Sequence, residues 1–247
     1  MQTYATIKKV NQAMADHLES ATRSLRKGAP RIVQHVPLPM KIVNLMHVNQ
    51  QHIDREVGGF VYLQTRGVTN RSSSHTTAAV PKAVVQTHVG SIESVELVNL
   101  MNLEIDWHTH MDYRDGRKMS PPSPTDFISC LLCHDFFGCQ ISLVVTREGL
   151  YFMWPTPKLI HTYMTNPEAL ANTFDKFEQD LLEAFFGNTA FRRGDLSQYY
   201  SVVVAFGFEI YLVSWKDIQS AANGDPDNAR SGLEMSFVVS TKPSLRK

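Results

Sequence analysis

The sequence predicts an α/β fold on three observations. Stretches with apolar residues at helical spacing alternate with short β-branched and aromatic runs, Gly- and Pro-rich turns punctuate them, and the composition is that of a globular chain. Of 247 residues, 43% are hydrophobic and 19% charged, enough to bury a core without disulfide staples. Lys plus Arg and Asp plus Glu number 24 each, so no net field draws the chain to nucleic acid or an anionic membrane, and neither is expected as a partner. Apolar runs such as Ile141 to Val145 fall far short of the roughly 20 residues that span a bilayer. Met1 to Lys27 carries no apolar leader core, so an intracellular compartment, cytoplasm or nucleus, is expected.

Thr3 to Leu25 places Ile7, Val10, Ala13, Met14, Leu18, Ala21 and Leu25 three and four apart, which predicts an amphipathic helix. Lys27-Gly28-Ala29-Pro30 ends it, making residues 1–30 a helical arm ahead of a main domain over 31–156. Val43 to His52 is again helical in pattern and feeds a strand in Glu56 to Leu63. Arg66 to Ala78 is a polar run without periodicity and predicts an exposed loop. Strands follow at Ala83 to Val89 and Leu103 to His110. Pro121-Pro122-Ser123-Pro124 is a rigid turn before an apolar helix, Phe127 to Phe136. A strand at Gln140 to Thr146, a turn at Arg147-Glu148-Gly149 and a strand at Leu150 to Trp154 complete the domain. In residues 157–247, a C-terminal extension, Pro167 to Phe186 has helical spacing between an expected N-cap at Asn166 and a stop at Gly187. Tyr199 to Trp215 is a β-rich run broken by Gly207. A loop at Ala221 to Ser231 precedes a last strand near Met235 to Val239.

The residues that point to chemistry are Trp107-His108-Thr109-His110. Positions two apart on a strand face the same side, so both imidazoles can reach one ion. Ser123-Pro124-Thr125-Asp126 then sets a carboxylate at the mouth of the next helix, where Ser123 and Asp126 also have the form of a capping box. Two His and one carboxylate leave a zinc ion one position for water, the arrangement of a catalytic site.

The order Glu56 before Gly58-Gly59, then His108 and His110, then Ser123 and Asp126, resembles the signature of the JAMM/MPN family of zinc metalloproteases, over about Val43 to Trp154. The resemblance implies a mixed twisted sheet flanked by helices, of cytidine-deaminase-like type. It implies one Zn²⁺ per chain held by His108, His110 and Asp126, with Glu56 as general base and Ser123 as a donor to the oxyanion. It further implies hydrolysis of a peptide or isopeptide bond, with ubiquitin or a related modifier as substrate. The chain departs from the family in two ways: twelve residues, Met111 to Pro122, separate His110 from Ser123, more than is usual, and Met111 follows His110 where Pro is common. A surface loop can absorb the extra length. The alternative is a non-catalytic scaffold of the same fold, assembling as a homo- or hetero-oligomer through helices such as the N-terminal arm.

Other constellations are weaker. Cys130-Leu131-Leu132-Cys133-His134 matches a c-type haem attachment pattern, but within an apolar helix the thiols read as small hydrophobes. A second zinc on Cys130, Cys133, His134 and Cys139 lacks a partner pair. A nucleobase deaminase would need Glu where His110 stands and Pro before the first cysteine.

Overall fold

The structure, a computed structural model, describes residues 4–24, 31–37, 40–51, 55–64, 82–89, 105–111, 119–137, 140–184, 195–223 and 234–240. The elements run α1 (Ile7–Ser24), β1 (Arg31–Pro37), α2 (Met40–Gln50), β2 (Val57–Gln64), β3 (Lys82–Val89), β4 (Ile105–Thr109), α3 (Pro124–Phe137), β5 (Ile141–Val145) and β6 (Gly149–Pro155). They continue with α4 (Pro157–Thr165), α5 (Pro167–Leu182), α6 (Ser197–Phe206), β7 (Phe208–Ser214), α7 (Trp215–Asn223) and β8 (Glu234–Ser240). The chain is therefore α/β, as its alternating pattern predicts. The loop expected at Arg66 to Ala78 and residues 112–118 and 224–231 lie outside the described residues, whereas Ala221 to Asn223, expected as the start of a loop, are the end of the helix α7.

Six strands form one mixed sheet in the order β3-β2-β4-β5-β6-β7, and β1 and β8 form a separate antiparallel pair. Among the described residues only the β4–β5 neighbours are parallel, and such a pair needs a crossover, which α3 supplies. The other pairings are antiparallel. At the β5–β6 turn the Thr146 N–H and hydroxyl both donate to the Gly149 carbonyl. A Cβ on Gly149 would lie 2.0 Å from the Val213 carbonyl oxygen, so only glycine lets β6 and β7 come this close.

Alternation along the strands divides the core in two. Ile105, Trp107, Ile141, Leu143, Val145, Leu150, Phe152, Trp154 and Val213 face one side, where α1, α2 and α7 cover them. The α1 residues Val10, Met14 and Leu18 are fully buried there, so the amphipathic face of this helix packs on the chain's own sheet. Val144, Tyr151, Met153, Phe208, Ile210 and Leu212 face the other side, under α3, α4, α5 and α6. Each large apolar side chain fully removed from water contributes about 1.5–3 kcal/mol. Among the described residues no helix is long and apolar enough to cross a membrane.

The extension over 157–247 adds β7 to the main sheet and β8 to β1. Its reading as a β-rich run from Tyr199 needs correction: Ser197–Phe206 is the helix α6, and the strand begins only at Phe208. Intrinsic β preference of Val202-Val203-Val204 is weak and is overridden by packing, since Tyr199, Tyr200 and Val203 bury one helical stripe against the second core. Gly207, with φ at +119°, ends the helix in the left-handed region and turns the chain into β7. Asn166 ends α4, its N–H donating to the Thr162 carbonyl, as α5 begins at Pro167. The helices α4 and α7 and the strand β1 carry no counterpart in the sequence reading, though Thr156 before Pro157 is a capping signal, and its hydroxyl accepts the Leu159 N–H.

Candidate metal centre

The centre is built on β4, the third strand from the β3 edge. Ile105 and Trp107 point into the first core and are fully buried; the alternate residues Asp106, His108 and His110 therefore point to the α3 side. His110 lies just past the strand, and its N–H continues the ladder by donating to the Val145 carbonyl at 2.9 Å. Across β4, Gly58 pairs with His108, so the neighbour on that face has no side chain to crowd the imidazole. The Thr109 hydroxyl, on the opposite face, accepts the Val57 N–H at 2.9 Å and locks this end of the β2–β4 pair.

α3 begins where the crossover leaves β4 behind, and its first turn brings the carboxylate. The expected capping box is present: the Ser123 N–H donates to Asp126 Oδ2 at 2.6 Å and the Asp126 N–H to Ser123 Oγ at 3.4 Å. The Ser123 hydroxyl also donates to Asp126 Oδ2, at 2.8 Å. Held in this way, the carboxylate meets both imidazoles, with Oδ1 at 3.1 Å from His108 Nε2 and Oδ2 at 3.0 Å from His110 Nε2. The two Nε2 atoms are 3.2 Å apart. His108, His110 and Asp126 each offer a donor atom within 4.8 Å of the others, and the group can hold a metal ion.

The donor set and spacing fit a small tetrahedral cation. Ligand bonds of about 2.0–2.2 Å at tetrahedral angles put donor atoms roughly 3.3 Å apart, close to the separations here. Burial disfavours protonated His108, but the Asp126 carboxylate outweighs it, with Glu56 and Asp106 adding to the effect, and the pKa rises to about 9. Burial likewise opposes ionisation of Asp126, yet the two imidazoles hold it well below the usual carboxylate range. The Asp126 carboxylate thus favours positive charge at the imidazoles, a proton or a cation alike.

Glu56 is one residue ahead of β2, and its charge is felt at His108. His108, His110 and Ser123 all meet the Asp126 carboxylate, and Glu56 acts on His108 through its charge. Ser123 is placed to orient Asp126, since its hydroxyl proton is directed there. Sequence reasoning missed Asp106, a buried carboxyl beneath His108 that accepts the Ser142 hydroxyl at 2.6 Å; burial pushes its pKa up to about 6. Its signal was the same period of two that relates His108 to His110.

Among the described residues, the cysteines take no part in this group. Cys130 is buried on α3, burial raises its thiol well above the ordinary value, and its Sγ donates to the Met153 carbonyl. Cys133 is half-buried, both are free thiols, and Cys139 lies outside the described residues. No known family, curated protein or solved structure matches the chain.

Proposed function

We propose that this chain is a zinc-dependent hydrolase of the JAMM/MPN type, which cleaves a peptide or isopeptide bond of ubiquitin or a related modifier. The observation that carries the reading is the convergence of two imidazole Nε2 atoms and a capped carboxylate within 4.8 Å, with the charge of Glu56 felt at His108. The mixed sheet with α3 as crossover agrees with the fold that the resemblance implies. The substrate class rests on that resemblance.

His108, His110 and Asp126 would hold the zinc. When bound, zinc lowers the pKa of water toward about 7 and polarises a carbonyl oxygen. Glu56 takes the proton of the attacking water and delivers it to the leaving amine, for which a carboxylate beside the ligands but outside the ligand set is suited. Ser123 fixes the Asp126 carboxylate through its hydroxyl and N–H, so the ligand is aimed before the cation arrives. The burial of the α1 apolar face in the chain's own core favours this reading over a scaffold that pairs through that helix.

The test is metal analysis with two variants. Purified protein is expected to carry about one zinc, Asp126→Ala to lose it, and Glu56→Gln to keep it while cleavage of a di-ubiquitin panel stops. Protein that neither retains nor takes up zinc overturns the reading.

A further inference from the structure

His110 is fixed at every polar atom, and one of its anchors reaches back to the β5–β6 turn. Its carbonyl accepts from Gln50 Nε2 at 3.4 Å, its N–H donates to Val145, and its ring Nδ1 lies 3.2 Å from the Ser120 carbonyl oxygen. A carbonyl only accepts, so Nδ1 is the donor to it, and the nitrogen left to meet a cation is Nε2, the atom that faces Asp126.

The direction of the Ser120 carbonyl therefore decides which nitrogen is offered to a cation. Ser120 closes the long spacing between His110 and Ser123, where wandering of the backbone would be expected, yet Met119 and Ser120 are buried. The N–H of Ser120 donates to Glu148 Oε1 at 2.6 Å, and the same oxygen accepts the hydroxyl of fully buried Tyr151 at 3.0 Å. Two residues on, the Tyr199 hydroxyl donates to the Pro122 carbonyl at 2.7 Å. The return of the loop is thus clamped on one side by β6 and its turn and on the other by α6.

We infer that Glu148 is a positioning residue for the metal centre: by holding the Ser120 peptide it aims that carbonyl at His110 Nδ1 and commits Nε2 to the ion. This rests on the metal-site reading above.

The experiment compares the full chain with Glu148→Ala and with Glu148→Gln, which keeps an oxygen acceptor for the Ser120 N–H. Nitrogen-15 NMR of the imidazoles, with and without zinc, reads the His110 Nδ1 proton and its exchange with water, and competition with a chromophoric chelator reads zinc affinity. Expected is a slowly exchanging Nδ1 proton in the parent chain and in Glu148→Gln. In Glu148→Ala exchange should be at least about tenfold faster and zinc affinity about 10- to 100-fold weaker, the usual effect of losing a ligand's supporting partner. Should Glu148→Ala fail to fold, Glu148→Asp, which draws the acceptor back by one methylene, takes its place with the same expectations. A parent chain whose His110 lacks the Nδ1 proton overturns the inference, as does a folded Ala or Asp variant with unchanged exchange and affinity. A chain that binds no zinc overturns the functional reading and this inference with it, whereas a chain that binds zinc, with affinity and exchange unchanged in its folded Ala or Asp variant, overturns this inference alone.

Discussion

Ser123 and Asp126 hold each other twice over: the N–H and the hydroxyl of the serine both donate to one carboxylate oxygen, and the aspartate N–H returns to the serine oxygen. Capping of α3 and aiming of a metal ligand are therefore one set of bonds. Ser123→Ala keeps only the backbone donor. It is expected to lower stability by about 1 kcal/mol, the usual worth of an N-cap hydroxyl, and to weaken zinc binding about tenfold. Denaturant unfolding and chelator competition measure the two effects, and unchanged zinc affinity would separate the cap from the ligand.

Metal removal should register in stability. A ligand that binds only the native state adds about 2.7 kcal/mol at a free concentration one hundred times its Kd. Melting of the parent chain is expected to shift upward with zinc and fall back with a chelator, whereas Asp126→Ala should melt at one temperature in both conditions.

His17 supplies a pH dependence of its own. On α1 it stacks against Trp154 with ring centroids 5.4 Å apart, and its Nε2 finds no hydrogen-bond partner among the described residues. Burial lowers its pKa from 6.5 to about 4, with His134 pushing the same way. The unfolded chain then binds the proton more readily than the native one, so stability falls as pH drops from about 6.5 to about 4 and this contribution is flat outside that window. The full loss is on the order of 3 kcal/mol. His17→Phe should flatten that part of the stability profile, and the imidazole of the parent chain should titrate near the lower limit by NMR.

Gly149→Ala tests the approach of β6 to β7. The added methyl would meet the Val213 carbonyl at 2.0 Å, which forces backbone to move. A loss of about 2–3 kcal/mol is expected from overpacking of this kind, and because Glu148 adjoins the turn, zinc affinity should fall with it. A melting temperature within a degree or so of the parent would refute the expectation.

The parts of the site legible in the sequence were those set by a local period or a local cap. Spacing of two put His108 and His110 on one face, and Ser-Pro-Thr-Asp announced both a helix start and a carboxylate. Asp106 obeys the same period, but a single acidic residue on a strand carries no message until its burial is known. Glu148 was invisible for a different reason: its partner is a backbone N–H twenty-eight residues earlier, and such a bond has no signature in side-chain identity. In the fold, the helices and strands around the centre followed from their patterns. The run from Tyr199 did not, because its valines favour strand locally and only the surrounding aromatic core makes them helical.

The β1–β8 ladder joins Arg31 to Ser240, so the minor sheet can close only after nearly all the chain between them has been made. Until then β1 is an unpaired edge, open to any extended segment that reaches it. During synthesis this protein must delay completion of its fold, and shortening it by its final strand would leave behind a species prone to stick to its own kind.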